Sequence, residues 1–222
     1  MLHEWLVLIG VTVGALLPIA NPFSAAPVFV AITQRMGRVR RNQQARMAAV
    51  YMAFLLLGAF IAGALILKFF GISMPALRIA GGLVIARVGF SMLNPEPGHD
   101  LQKEDQDEAL DKTDIAFTPI AMPLLSGPGS IAVTISMATS VEQVIDHIPV
   151  AIGILIVSFL SWLVLRSSTK VVDLLGSTGV NVLTRLMGLI LVCIGIQFIA
   201  DGFFDLVTDK AIVDQIIAVY SG

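Results

Sequence analysis

The chain has 222 residues, of which 56% are hydrophobic and only 14% are charged. A transmembrane helix needs about 20 apolar residues, so the roughly 124 hydrophobic residues would supply about six such helices. A soluble domain of this length cannot bury that much apolar surface. One cysteine excludes a disulfide scaffold, and the net charge of −2 indicates no nucleic-acid partner. We therefore expect an integral membrane protein.

Long stretches without charged residues mark the membrane spans in chain order. They predict transmembrane helices at about 5–33, 46–68, 73–93, 116–139, 148–166 and 183–203. The first stretch is too long for a signal peptide, and no positively charged region precedes it. The expected fold class is therefore all-α: a polytopic membrane protein with six transmembrane helices.

The distribution of lysine and arginine predicts the orientation, because cytoplasmic loops are enriched in both. The segment after the first helix carries five arginines and no acid, so we expect it to be cytoplasmic and both termini to be periplasmic. The eleven basic residues on the inside are then Arg35, Arg38, Arg40, Arg41, Arg46, Arg87, Lys103, Lys112, Arg166, Lys170 and Arg185. The three on the outside are Lys68, Arg78 and Lys210.

An acidic segment divides the chain into two halves. Residues 94–114 hold eight acidic residues and two lysines, which is typical of a solvated linker, although a regulatory or metal-binding segment is the alternative. We predict a first three-helix repeat at 1–93, an acidic cytoplasmic linker at 94–115 and a second three-helix repeat at 116–222.

The two halves share a sequence motif. Residues 18–33 and 119–134 match at seven of sixteen positions at a shift of 101, and three of the matches are prolines. Arg78 and Gly81 also match Arg185 and Gly188 at a shift of 107. Because each half has three helices, which is an odd number, the second half would enter the membrane from the opposite side. The pattern predicts an inverted repeat, a plan common among secondary transporters; chance similarity of proline-containing helices is the alternative.

The repeated prolines predict that helices 1 and 4 are broken at mid-membrane. Proline lacks an N–H and clashes with the carbonyl four residues back, so Pro22 and Pro123 each free a backbone carbonyl. The second motif adds Gly127-Pro128-Gly129, which holds a regular helix poorly. Broken backbone at this depth is tolerated where it is buried in protein or lines a cavity. Its helix ends suit a carboxylate and a cation, whereas a kink used only for packing is the alternative.

A family resemblance runs in order over nearly the whole chain. Its motifs are Leu17-Pro18-Ile19-Ala20-Asn21-Pro22, Gly71-Ile72-Ser73, Leu77-Arg78-Ile79-Ala80-Gly81-Gly82, the stretch from Pro119 to Gly129, and Arg185-Leu186-Met187-Gly188. With these motifs the chain resembles the MarC family. The resemblance implies a six-helix protein of the bacterial inner membrane, related to small amino-acid and metabolite exporters. Many relatives carry Asp at the position of Asn21, so the resemblance does not extend to proton coupling there.

The candidate substrate-binding residues are Asn21, Pro22, Ser126, Gly127, Pro128, Gly129, Ser130, Arg78 and Arg185. Asn21 either contacts a ligand or holds the break, since a buried amide must find partners. Ser126, Ser130 and Thr134 recur every four residues and share one helix face. They either line a polar path or bond to other helices and to carbonyls of their own helix.

The arginines and one aspartate at predicted helix ends have two interpretations each. Arg78 and Arg185 reach the membrane interface, or they pair across the halves or bind a substrate carboxylate. Asp201 ends the apolar run of helix 6, where it lies at the interface or has a coupling role.

The sequence predicts a transporter rather than an enzyme. The three histidines lie in predicted termini or loops, and no His-Glu-x-x-His or Walker-type phosphate loop occurs. We expect no cofactor and no metal. The predicted function is secondary transport of small metabolites, by alternating access of two inverted repeats about a midplane site. The resemblance favours neutral amino acids as the substrate.

The expected partners are a small-molecule substrate, the lipid bilayer and a coupling proton or sodium ion. Two alternatives stay open. One is a lipid or polyprenyl-phosphate translocase in which Arg78 and Arg185 hold a phosphate, and the other is a membrane scaffold without transport. The sequence does not predict the oligomeric state or the direction of transport.

Overall fold

The structure is a computed structural model, and it describes residues 2–94, 114–141 and 144–208. In these ranges the backbone forms helices and no strand. The helices are α1 Leu2–Ala20, α2 Pro22–Thr33, α3 Arg38–Phe70, α4 Met74–Leu93, α5 Ala116–Leu125, α6 Pro128–Ser140, α7 His147–Arg166 and α8 Ser168–Val207. A single 3₁₀ turn precedes α7. Most of the predicted linker at 94–115 falls outside the described residues.

Six segments of the described chain are long and apolar enough to cross a membrane. Five are single helices, namely α1, α3, α4, α7 and residues 178–207 of α8. The sixth is α5 with α6, which are bent by 65° at the break between them. Many large apolar side chains are exposed, such as Phe69 at 82% and Phe54 at 74%, as a lipid-facing surface requires. The predicted all-α polytopic fold is confirmed, while the inverted relation of the halves stays a prediction.

Two helices begin earlier than predicted. α3 begins at Arg38 rather than at about 46, and α8 begins at Ser168 rather than at about 183. Hydropathy locates only the apolar part of a helix, and polar residues such as arginine and glutamine also favour helix, so polar turns extend it. α8 is interrupted at Gly176, whose φ of 63° is a conformation that glycine adopts at little cost.

Glycines bring α4 and α8 into backbone contact. A Cβ on Gly82 would lie 2.5 Å from the Gly195 carbonyl oxygen, and a Cβ on Gly89 would lie 2.7 Å from the Gly188 carbonyl oxygen. These pairs make the two helices antiparallel. Small residues let membrane helices approach closely, so α4 and α8 form a close-packed central pair that joins the two halves.

The remaining helices also pack between the halves. Thr12 of α1 fills the space beside Gly153 of α7, and Ile135 of α6 fills the space beside Gly63 of α3. In both cases the broken first span of one half contacts the second span of the other. The halves therefore interleave, and the two breaks lie within their shared interior.

Candidate functional site

The first break is one residue wide. Asn21 separates α1 from α2 and has left-handed backbone angles, with φ 31° and ψ 66°. Its backbone N–H still donates to the Leu17 carbonyl at 2.9 Å. Its side-chain Oδ1 accepts a hydrogen bond from the Ser24 N–H at 3.3 Å, which makes Asn21 the N-cap of α2. Asparagine tolerates these angles because its short polar side chain bonds locally.

Asn21 also has an unused donor in the interior. The residue is 4% exposed, and its Nδ2 is buried without a hydrogen-bond partner in the described part of the chain. A buried polar group without a partner costs about 1–3 kcal/mol, so such groups are rare and call for an explanation. The side chain therefore holds the break through its oxygen, while its nitrogen could bind a ligand.

The second break is longer. Ser126 and the half-buried Gly127 separate α5 from α6. Within α5, Thr118 and Met122 are extended, with φ of −123° and −132°, and each immediately precedes a proline. The Ser126 N–H donates at 2.8 Å to the carbonyl of Ala121, five residues back instead of four. Both predicted helix breaks are therefore present in the backbone.

The hydroxyls that follow the second break differ in their partners. Ser130 Oγ donates to the Leu125 carbonyl at 3.4 Å, and Thr134 Oγ1 donates to the Ser130 carbonyl at 2.7 Å. Both therefore bond to their own chain segment, which is one of the predicted alternatives. The Ser126 hydroxyl is fully buried and has no hydrogen-bond partner among the described residues.

The two breaks adjoin one another. A Cβ on Gly129, in the first turn of α6, would lie 3.5 Å from Ile19 Cγ2, in the last turn of α1. The same Cβ would lie 3.0 Å from Ile85 Cγ1 of α4. Pro22 and Gly129 are buried, whereas Pro128 is exposed. The structure thus brings the two predicted motifs together against α4.

Arg78 contacts the second half of the chain. Its Nε donates to Ser136 Oγ of α6 at 3.3 Å, and its guanidinium forms an ion pair with Asp205 of α8. The Arg78 side chain is 24% exposed and that of Asp205 is 45% exposed, so the pair lies at the edge of the protein. Pairing across the halves, one of the predicted alternatives for Arg78, is therefore present.

Arg185 lies in different surroundings. It is exposed on α8, three residues before Gly188, whose Cβ would lie 2.9 Å from Met92 Cβ in the last turn of α4. Arg78 lies in the first turn of α4 beside Gly202. The two arginines are therefore at opposite ends of the α4–α8 pair, roughly 25 Å apart along the helix axis.

A cavity of about 290 Å³ lies beside Arg78, and we call it the α1-side cavity because the N-terminal half of α1 forms one wall. Its polar lining is Thr12, Arg78, Ser136 and Asp201. Its apolar lining is Leu8, Val11, Met137, Val141, Val150 and Phe198. Asp201 Oδ1 also accepts a hydrogen bond from Gln197 Nε2 at 2.7 Å. Mostly apolar walls with a few polar groups are typical of small-molecule sites, which hold about 300–1,000 Å³.

Sequence reasoning identified only part of this cavity and of the ion pair beside it. Arg78 was predicted as a binding residue, whereas Ser136, which lines the cavity, and Asp205, which pairs with Arg78, were not. The sequence did contain a signal for Asp205, because in the predicted topology the start of helix 3 and the end of helix 6 lie on the same side of the membrane. Asp201 and Asp205 are four residues apart, so they share a helix face. Asp205 was missed because the predicted helix ended at about 203.

Comparison with known proteins identifies the family. A model described as "MarC family integral membrane protein" matches residues 6–207. The chain is 39% identical over 210 residues to the inner membrane protein MarC of Citrobacter koseri. It is 40% identical over 213 and 211 residues to the proteins of that name from Escherichia coli and Salmonella typhimurium. Each alignment covers 90% of this chain and 95% of the relative.

No solved structure matches the chain. The relatives are named as inner membrane proteins, and the described residues include several membrane-spanning helices. The similarity extends over both halves and both proline motifs, in agreement with the resemblance of the sequence motifs. This protein therefore belongs to the MarC family of integral membrane proteins.

Proposed function

We propose that the protein is a secondary transporter of small zwitterionic metabolites, with neutral amino acids as the favoured class. Its two halves would give alternating access to the substrate. The α1-side cavity is the observation that carries the proposal. There a guanidinium from Arg78 and a carboxylate from Asp201 share a small, mostly apolar space.

The lining of the cavity fits the chemistry of a neutral amino acid. The substrate carboxylate would pair with Arg78, whose planar guanidinium suits bidentate contact with a carboxylate. The substrate ammonium would face Asp201, and an apolar side chain would pack against Phe198 and Val150. A substrate that lacks either charge would make only one of these two charged contacts, which disfavours its binding.

The ion pair between Arg78 and Asp205 supports a simple exchange of partners. A substrate carboxylate would replace the Asp205 carboxylate on the guanidinium. Asp205 is 45% exposed, so its charge would return to water rather than stay buried without a partner. The ion pair would therefore break when the substrate binds at this end of the protein and form again when the substrate is released.

The two breaks support a path between the ends of the protein. Asn21 Nδ2 and Ser126 Oγ are buried without partners among the residues that the structure describes, and the helix ends around them adjoin. In transporters with inverted repeats, discontinuous helices of this kind bind substrates and coupling ions near the middle of the membrane. At the shift of 107 residues that relates Arg78 to Arg185, Gly81 of α4 matches Gly188 of α8, as an inverted repeat would require.

We further propose an orientation in which both termini and the α1-side cavity face the periplasm. The charge distribution supports it, since arginines at the start of α3 and the end of α7 lie at the other end of the molecule. A proton or sodium ion would supply the driving force, with Asp201, which lines the cavity, and Asp205, which pairs with Arg78, as the candidate coupling residues. We propose no enzymatic step and no cofactor.

Uptake by proteoliposomes tests the proposal. The purified full chain would be reconstituted, and uptake of a panel of radiolabelled neutral amino acids would be measured under defined proton and sodium gradients. We expect Arg78→Gln to lower uptake at least about tenfold, because a charged hydrogen bond to the substrate is lost. Arg185→Gln is the matched control, with uptake within about twofold of the parent protein, since that arginine is exposed and remote.

The outcomes separate the alternatives. If no panel member moves under any gradient, the proposed function is wrong. A translocase that holds one phosphate with both arginines is disfavoured, because they lie roughly 25 Å apart along the α4–α8 pair. Equal loss of lipid transport in Arg78→Gln and Arg185→Gln would restore that alternative. If the protein were only a membrane scaffold, neither substitution would change the measured transport.

A further inference from the structure

A group of four cations lies at the end of the molecule opposite the α1-side cavity. Arg38 and Arg41 begin α3, Arg166 ends α7, and Lys170 lies in the first turn of α8. We call these four residues the basic cluster. They line a hollow of about 680 Å³ together with Asn42, Leu163, Ser167 and Thr169. Among the described residues, none of the four forms an ion pair with a carboxylate.

Hydrogen-bond donors accompany these charges. The Thr169 Oγ1 atom is buried, has no hydrogen-bond partner in the described chain, and belongs to a residue that lines the hollow. α3 and α8 both begin here. The N-cap of α3 is Gly37, which has no side chain, and the Ser167 side chain makes no capping bond to α8 within the described residues. Free N–H groups at helix N-termini attract anions, and phosphates in particular. Cations, a free hydroxyl and two helix N-termini therefore converge on one space.

The hollow continues into an apolar groove between α3 and α7. A second hollow of about 430 Å³ shares Asn42 and Arg166 with the first and adds Arg46 and Trp162. The Arg166 guanidinium lies over the Trp162 ring, 5.0 Å from its centroid. A third hollow of about 320 Å³ shares Arg46 and Trp162 with the second, and the rest of its lining is Ala49, Val50, Ala53, Ser158 and Phe159.

The order of these hollows matches the chemistry of one molecule. Charge and hydrogen-bond donors lie at the helix ends, whereas small and aromatic apolar residues follow along the membrane-spanning part of α3 and α7. A free phosphate would use the basic cluster and leave the groove empty. A fatty acid would use the groove but only part of the charge.

We propose that the basic cluster and the adjoining groove bind an anionic phospholipid. The phosphate lies on the basic cluster and an acyl chain lies along the groove past Trp162. Basic pockets between transmembrane helices bind anionic head groups in this way, and each cation near the surface raises the affinity about fivefold. The site is separate from the α1-side cavity and does not depend on the transport function.

Trp162 is a built-in reporter for this site. The chain has two tryptophans, so Trp5→Phe leaves Trp162 as the sole one. The full-length variant would be reconstituted in phosphatidylcholine vesicles that contain a few mole percent of a brominated lipid, whose bromine quenches tryptophan on contact. We expect brominated phosphatidylglycerol to quench Trp162 several-fold more strongly than brominated phosphatidylcholine at the same mole fraction.

Charge removal tests the role of the basic cluster. Arg41→Gln with Lys170→Gln should lower the preference for phosphatidylglycerol about 25-fold, at about fivefold for each charge. Arg166 is kept, because its substitution would alter Trp162 directly. Arg185→Gln is the control, since it removes an exposed arginine that does not line the hollows. Circular dichroism and thermal unfolding would show that each variant keeps its fold.

Three outcomes would overturn the proposal. Equal quenching by the two lipids would show that the groove has no preference for an anionic head group. If the preference for phosphatidylglycerol survived in the double variant, the basic cluster would not be its cause. Loss of the preference on addition of millimolar inorganic phosphate would assign the cluster to a soluble anion instead of a lipid.

Discussion

The two proline motifs have the same spacing but interrupt their helices differently. The matched pairs are Pro18 and Pro119, Pro22 and Pro123, and Pro27 and Pro128. In the first motif one residue leaves the helical conformation, Asn21 before Pro22. In the second motif the residues before all three prolines leave it. One sequence pattern therefore gives a narrow break in the first half and a bend of 65° in the second.

The residue before each proline accounts for the difference. Proline disfavours the α conformation in the residue that precedes it. Thr118 is β-branched and Gly127 has no Cβ, so both leave the helix at little cost. Their counterparts, Leu17 and Ala26, are strong helix formers and remain helical. The middle proline breaks the helix in both halves, even after Met122, a good helix former. At the two outer prolines, the preceding residue decides whether the helix breaks.

The largest expected effect comes from restoring the helix at the second break. In Gly127→Ala with Pro128→Ala, both residues become helix formers. A Cβ at position 127 would lie 3.0 Å from the Pro123 carbonyl oxygen, so the present bend would have to change. We expect amino acid uptake by proteoliposomes to fall at least about tenfold, which corresponds to about 1.4 kcal/mol.

Helical content and thermal unfolding are the controls for that double variant. We expect circular dichroism to show equal or higher helicity, which separates a straightened span from an unfolded one. Uptake at the level of the parent protein, in a variant with raised helicity, would show that the bend serves packing alone.

At the first break, the backbone and the side chain of Asn21 can be tested separately. Asn21→Ala removes the cap and leaves, at φ 31°, a residue whose side chain cannot form the local hydrogen bond that makes this conformation tolerable. We therefore expect the free energy of unfolding to fall by about 1–2 kcal/mol. Asn21→Gly accepts that φ and should lose only about 0.5 kcal/mol. Thermal unfolding in detergent would rank the two variants.

Uptake then decides the role of the Asn21 side chain. Both variants lack the buried Nδ2, so we expect uptake to fall in both, by a similar factor of about five. Full uptake in Asn21→Gly would mean that the side chain only holds the break, which is the structural alternative.

The fold was more predictable than the site, for a physical reason. The six spans follow from local hydropathy. The breaks follow from proline and glycine, whose effects on the backbone are local and do not depend on which residues pack against them. Arg78 with Asp205 and Gly82 with Gly195 are pairs more than one hundred residues apart in the chain, so they depend on helix register. The early start of α8 was missed because its polar first turns carry no hydropathy signal.

Ser126 should give a smaller effect, and Thr134 on the same helix is its matched control. Within the described residues the Ser126 hydroxyl has no partner, so Ser126→Ala should leave stability unchanged or raise it by up to about 1 kcal/mol. We expect uptake to fall about threefold if this hydroxyl contacts the substrate. Thr134→Val removes a hydroxyl that already bonds to the Ser130 carbonyl, so uptake should stay within about twofold. Equal losses in the two variants would indicate a packing effect instead of a contact at Ser126.

The smallest expected effect is at Pro27, and it tests the comparison of the two motifs most directly. Pro27 matches Pro128 in the repeat but lies inside the continuous helix α2, where Ala26 keeps its helical conformation. Pro27→Ala should therefore leave uptake within about twofold and raise the unfolding temperature, because a proline inside a helix costs up to about 3 kcal/mol. Pro128→Ala, measured in the same experiment, should lower uptake. If Pro27→Ala lowered uptake as much as Pro128→Ala, proline spacing itself would matter to the function, and the residue before each proline would be secondary.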